Sequence, residues 1–385
     1  MNPALRTTLV GLTVAAISAG AMMSTAVRAQ QARGAAAGSG TPPAKKVKGG
    51  AQPWPDEKTI ESRRASSENR KLFTSADVLP ISMTADFKTI NNDKNPNSTK
   101  VYPGTMTFAG PDGQPKTVKV MLQPRGHSRR TICNWVPLRL TFVKDEVKGT
   151  VFDGVESIKL GVHCKSEADD IVAREYAVYR IDNLLTPHSF RARPAKASYV
   201  DVKSGKPLET DKNAMFIEDD DDVARRMSGR ITDAQGLNFA RVDYDTITMQ
   251  LLFEYMISNH DISLFAQHNF RVVEMPNGTK YPVPYDFDYS GLVDAPYAIP
   301  PKEFHIDTVK DRVYRGPCRP AADLAPILDK FRAAKPQILA LYDTLPNLKN
   351  GYRSDAKKYL EGFFKIIDDP GKVKHEFTDC KNAGM

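Results

Sequence analysis

The sequence predicts an α+β fold in which a strand-rich first half precedes a mainly helical second half. Two patterns and one magnitude carry that prediction. From residue 82 to 142, β-forming runs such as "PGTMTFAG", "KTVKVMLQPRG" and "VPLRLTF" are broken at short intervals by Gly, Pro and Asp. After residue 243 the patterned runs lengthen to helical size, beginning with "DYDTITMQLLFEYMIS". The 41% hydrophobic content of a 385-residue chain is enough for a substantial core.

Taken in order, the chain opens with one early Arg, an apolar stretch from Leu9 to about Met23, and Val27 and Ala29 at positions that suit a signal peptidase. Residues 1–29 are therefore expected to be a secretory signal, and the product periplasmic, envelope-bound or extracellular. Residues 30–70 are rich in Ala, Gly, Pro and Lys with little apolar periodicity, the composition of a disordered tether. Much of the +8 net charge lies in these segments: Arg6 and Arg28 carry two charges and the tether a net four. A broad basic surface is not expected on the rest, and nucleic acid is not an expected partner. No run after the leader is long and apolar enough to span a membrane.

The folded domain is expected over residues 71–385, its strand-rich part over about 71–220 and its helical part over about 221–385. The region from Ser82 to Phe142 reads as a small antiparallel sheet, and "ESIKLGVHC" as a further strand. Ser166, with Asp169 three positions on, offers a capping box for the helix "EADDIVAREYAVYRIDNLL", whose Ile171, Val178, Ile181 and Leu185 share one face. Strands "ASYVDV" and "AMFIE" flank the polar loop "KSGKPLETDKN". Past the acidic run Glu218–Asp222, "VARRM" starts a helical stretch; the long helix follows, then strands "NFRVVE" and "YPVPYDF" around the turn "MPNGTK", then two final helices. Cys133, Cys164, Cys318 and Cys380 lack the close spacing of a zinc site, and export favours disulfides. Of three possible pairings, Cys133 with Cys164 is preferred because they flank neighbouring strand-like segments, leaving Cys318 with Cys380.

The stretch "VPYDFDYSGLV" places Asp286 and Asp288 around Phe287 where an apolar strand meets a glycine turn, a setting that can hold a carboxylate rigidly with its oxygens open. Singly, a loop Asp or Asn is a turn former or cap. Here the order is informative: a long helix, a loop bearing Asp261 and then Asn269, a two-stranded hairpin, and Asp286 at its end. A protein-kinase catalytic centre has that layout, with a loop Asp facing the acceptor hydroxyl, an Asn on magnesium and a post-hairpin Asp bridging metal to phosphate, although the gap from Asp261 to Asn269 is longer than usual. Hard oxygen ligands suit magnesium or manganese. Asp288 is either a second metal ligand or a turn cap. Lys159 and Glu175 are the natural pair for the phosphates, and "QPRGHSRR" supplies Arg125, Ser128, Arg129 and Arg130 as a second phosphate element. His260 and His268 are too far apart in a loop for a usual zinc pair and suit packing or supporting roles.

These residues resemble the CotH family, the spore-coat-protein-H-like atypical protein kinases. The matching pieces are "RGHS" followed by "VPLRLTF", "AMFIED", "SNHDISLFAQHN" and "PYDFDYSGLV", over roughly residues 75–370. The resemblance implies a kinase-like fold with a β-rich N-lobe and a helical C-lobe, and metal- and ATP-dependent phosphorylation of protein hydroxyls. By position it makes Asp261 the catalytic-loop residue and Asp286 and Asn269 the metal ligands. Two other readings stand beside it: a non-catalytic surface module that binds a protein or glycan, and a metal-assisted hydrolase that uses the same carboxylates on water.

Overall fold

Seven strands between residues 79 and 217 close into a barrel in the computed structural model, which describes residues 52–233 and 236–380. They are β1 (Leu79–Ala85), β2 (Tyr102–Ala109), β3 (Pro115–Pro124), β4 (Leu138–Phe142), β5 (Ser157–Val162), β6 (Ala192–Asp201) and β7 (Pro207–Ile217), in the order β1-β2-β3-β4-β5-β7-β6. Every neighbour is antiparallel except the closing pair, where β6 runs parallel to β1 with Leu79 opposite Ala195. Alternation explains the interior: Met106, Val118, Val120, Leu122, Leu140 and Leu160 point inward and are buried. Closure removes the exposed strand edges that an open sheet would leave.

This closure corrects the expected architecture. The strands fall where alternation put them, yet they form a closed barrel of mixed direction with helices beside it, and the N-lobe/C-lobe arrangement of a kinase is not formed. The decisive pairing, β1 with β6, joins segments more than a hundred residues apart, and local alternation carries no sign of it.

Further helices are α1 (Glu57–Glu68), α2 (Asp170–Leu185), α3 (Asp220–Arg226), α4 (Tyr244–Ile257), α5 (Ala321–Thr344) and α6 (Asn350–Ile367). A small sheet, β8 (Arg230–Ile231), β9 (Phe270–Glu274) and β10 (Lys280–Pro284), has the order β10-β9-β8. The second core gathers α2, α4, α5, α6 and this sheet around residues such as Tyr176, Phe253, Phe287, Phe331 and Phe363. Among the described residues no helix is long and apolar enough to cross a membrane.

Three local expectations change. The signal segment 1–29 lies outside the described residues, as does the tether up to residue 51, but residues 57–68 are the helix α1. Its composition gives no apolar stripe; polar contacts hold it instead. Asp56 caps it at Thr59, Ser67 Oγ donates to Asp222, and Arg70 grips both Asp222 oxygens at 2.8 and 3.0 Å. The capping box at Ser166 is not formed either, because Ser166 Oγ donates to Glu209 and the Asp169 carboxylate accepts from the Asn213 backbone. The loop expected between β6 and β7 shrinks to residues 202–206 as both strands extend into it. Both disulfides form as expected, Cys133–Cys164 and Cys318–Cys380.

If α1 is anchored as described, a double-mutant cycle of Arg70→Ala and Asp222→Ala by denaturant unfolding gives a coupling of about 1–3 kcal/mol. Additive effects would mean that α1 is not docked through this pair.

Candidate functional site

Helix α4 ends at Ser258 in the left-handed conformation, and the chain turns back at once toward the small sheet. Gly291 makes that return possible: its N–H donates to the Ser258 carbonyl at 2.9 Å, and a Cβ there would meet the Val309 carbonyl oxygen at 2.4 Å. Asp261 follows on the loop. Its Oδ1 faces His268 Nε2 at 2.8 Å, while Asn269 Nδ2 donates to its backbone oxygen at 2.6 Å and to Oδ2 at 3.1 Å. The residues between Asp261 and Asn269, longer than the usual spacing, fold into a tight antiparallel loop closed by Ser263 N–H to the His268 carbonyl and the reciprocal bond.

The β9–β10 hairpin carries the next two residues. Asn269, just before β9, accepts the Tyr285 N–H on its carbonyl at 2.9 Å, and Asp286 comes directly after Tyr285. Both Asn269 and Asp286 have positive φ, 55° and 67°, conformations that Asn and Asp tolerate better than most residues. Asp286 is held there by its N–H, which donates to Tyr179 Oη of α2 at 3.0 Å. Its carboxylate accepts no hydrogen bond from the described residues. Phe287, fully buried, packs edge-on against Tyr179 and Phe253, so the ring anchors the turn and leaves a carboxylate on either side of it.

Asp288 is buried. It accepts from Tyr297 Oη at 2.9 Å and lies 3.8 Å from Arg129 Nε. Glu175 on α2 is buried beside them, 3.8 Å from Arg129 Nη1, and its Oε2 has no hydrogen-bond partner. Burial and the neighbouring Asp288 and Asp286 charges push the Glu175 carboxyl well above the usual range. Burial, with Asp286, raises Asp288 to about 7. The structure thus gathers Glu175, Asp286 and Asp288 around one buried guanidinium, with Arg125 near enough to act on Glu175 electrostatically.

The expected Lys159–Glu175 pair is not formed. Lys159 is buried, bonded to Asp220 of α3 and set over the rings of Phe190 and Tyr285 at 5.1 and 4.9 Å. Burial lowers its ammonium to about 8 despite that partner. Asp220 also accepts from Arg271 Nε at 2.9 Å, and the two cations hold its carboxyl well below the usual range. Arg129 takes the place beside Glu175 instead. Its helical turn, Ser128–Ile132, leads directly into Cys133, whose disulfide to Cys164 ties it to the end of β5, and Arg129 donates to the Val162 carbonyl there. Arg125 has no carboxylate within ion-pair distance among the described residues, and Ser128, exposed, sits beside Tyr289.

His268 takes the supporting role expected of it, its Nε2 facing Asp261 Oδ1 at 2.8 Å. Asp261 draws its imidazole above the ordinary value. His260, by contrast, is buried and lowered to about 4, hence a neutral packing residue. Nothing in the sequence marked Tyr179 or Tyr297, since only the fold brings their hydroxyls to Asp286 and Asp288.

The donor set consists of hard oxygens: the Asp286 carboxylate, the Asn269 Oδ1 left over when its Nδ2 turns to Asp261, and the acids behind them. Among the described residues, no three of His, Cys, Asp or Glu converge closely enough to hold an ion by themselves. The set fits an ion such as magnesium that takes one or two carboxylates and completes its shell with phosphate and water. Glu175 Oε2 makes no hydrogen bond and lies 3.8 Å from Arg129 Nη1. Neither a family model nor a curated protein matches the chain.

Because Asp288 binds its proton more tightly folded than unfolded, its contribution is complete below about pH 4 and is lost as the pH rises through about 7. In chelator, Asp288→Asn is therefore expected to raise the melting temperature at pH 8 and to change it little at pH 4, by ~2–4 °C for each kcal/mol relieved. A pH-independent difference would contradict this electrostatic description.

Proposed function

We propose that the protein is an exported, metal- and ATP-dependent phosphotransferase that acts on protein hydroxyls. The observation that carries this reading is the meeting of Asp261, Asn269 and Asp286 at the open end of one hairpin, backed by buried acids with too few cations to balance them. The resemblance of "SNHDISLFAQHN" and "PYDFDYSGLV" to CotH kinases supports it through these residues; the barrel lends it no support. Two disulfides fit an oxidising compartment.

In this reading the acceptor oxygen forms a bond to the terminal phosphorus of the donor as the bridging P–O bond breaks, and the hydroxyl proton passes to Asp261. The two hydrogen bonds on Asp261 fix its carboxylate without using up its lone pairs, and His268 steadies Oδ1. Magnesium, when bound by Asp286 and Asn269, neutralises phosphate charge. Arg125 meets the phosphates as an unpaired guanidinium, a task for which Lys159 is poorly placed because Asp220 engages it. Catalysis rests on positioning and charge, and the strained but anchored Asp286 turn supplies the positioning.

The test is a thermal-shift titration with magnesium and ATP, ADP or neither, comparing wild type with Asp286→Asn, which keeps the left-handed turn. Ligand at about a hundredfold its dissociation constant adds about 2.7 kcal/mol. Stabilisation that needs both metal and nucleotide and disappears in Asp286→Asn is expected. No stabilisation by any combination would favour a non-catalytic binding module, and phosphate release with no labelled acceptor would favour a hydrolase.

A further inference from the structure

Beside Asp261 lies a cavity of about 350 Å³, within the size range of ligand sites. Its walls come from Leu237, Phe239, Ile262, Leu264, Phe265 and Phe270. We propose that this cavity receives an apolar side chain of the acceptor polypeptide, next to the hydroxyl that is phosphorylated; the proposal rests on the phosphotransferase reading and assigns its substrate class.

Contiguity with the reacting residue is the first argument. Ile262, a cavity wall, directly follows Asp261, and the loop Ser263–His268 that carries two more walls ends on the imidazole bonded to Asp261. Arg315 reaches along the same cavity and donates from Nη1 to the carbonyls of His260 and Ile262, both at 2.6 Å.

Chemistry is the second. The polar members of the lining are Asn238, Ser263 and Arg315, whose Nη1 is spent on backbone carbonyls while its buried Nε makes no hydrogen bond; the rest is apolar, so a sugar or nucleotide base would lose water there for few hydrogen bonds. The floor is close-packed, since a Cβ on Gly316 would meet the Tyr314 ring and hydroxyl at 2.5 Å. Leu237, Ile262 and Leu264 are buried in the walls, whereas Phe265 at the loop tip remains 69% exposed. A large exposed aromatic on the rim of an apolar cavity, one short loop from the proposed base, suits closure over a side chain held by its own backbone. A polypeptide also carries the hydroxyl on that backbone, which a detached apolar molecule would not.

The test uses the full chain, magnesium-ATP and a set of serine peptides that differ in one flanking residue, Leu, Phe, Gly or Asp, with peptide binding and phosphoryl transfer measured separately. Wild type is expected to bind and phosphorylate the Leu and Phe peptides about tenfold or more better than the Gly peptide. Phe265→Ala, at an exposed position, and Phe239→Ala, at a half-buried one, are expected to remove that preference through KM while leaving kcat and the nucleotide-dependent thermal shift unchanged. Transfer to all peptides alike, or an unchanged preference in both variants, overturns the proposal and leaves the phosphotransferase reading standing. Preferential binding of the apolar peptides without transfer of phosphate, while the nucleotide shift is also absent, overturns the reading and with it the assignment of the cavity to an acceptor.

Discussion

Arg129 is the side chain on which the candidate site depends. It belongs to a short helical turn of the barrel segment, yet its guanidinium lies between Glu175 of α2 and Asp288 of the post-hairpin turn. Burying two carboxyl groups costs free energy, which Arg129 offsets in part and the raised proton affinity of both groups offsets further. At 3.8 Å, its contacts to both acids are longer than direct hydrogen bonds, which leaves the acids only partly neutralised. The same residue therefore offsets part of the burial cost of both acids.

A second electrostatic joint lies nearby. Asp220, at the start of α3, takes Lys159 from β5 on one oxygen and Arg271 from β9 on the other, while the Tyr285 ring packs against both cations. This joint links the barrel wall to the hairpin that presents Asn269 and Asp286, and places the aromatic residue preceding Asp286 within it. The geometry of the acids is thus set from two sides: by Arg129 and Tyr297 at Asp288, and through the Asp220 cluster by way of Tyr285.

How much of this was legible depended on range. The strands of the barrel and the long helices were readable because alternation and helical spacing are local, and the order Asp261, Asn269, Asp286 was readable because one hairpin links its last two members. Barrel closure was not, since β1 and β6 meet across intervening strands without a sequence mark. The partner of Lys159 was misjudged for a similar reason: Glu175 is nearer in sequence, but α3 delivers Asp220 to the β5–β7 edge, where Ile217 pairs with Lys159. The acidic run Glu218–Asp222, read only as the boundary between the two halves, holds two buried anchors, Glu218 with Arg191 and Arg226 and Asp222 with Arg70. Charge runs reveal their meaning only when the fold supplies the opposite charges.

The proposed phosphotransferase requires that the acids around Arg129 form, with Asn269, a site for a metal–nucleotide complex. Co-crystallisation with manganese and a non-hydrolysable ATP analogue, read by anomalous scattering, tests it most directly. A manganese peak is expected within coordination distance of Asp286 and Asn269, with the phosphates of the analogue completing its shell on the side of Arg125. Bound analogue or manganese found only elsewhere, with the Asp286 carboxylate facing solvent, would contradict it.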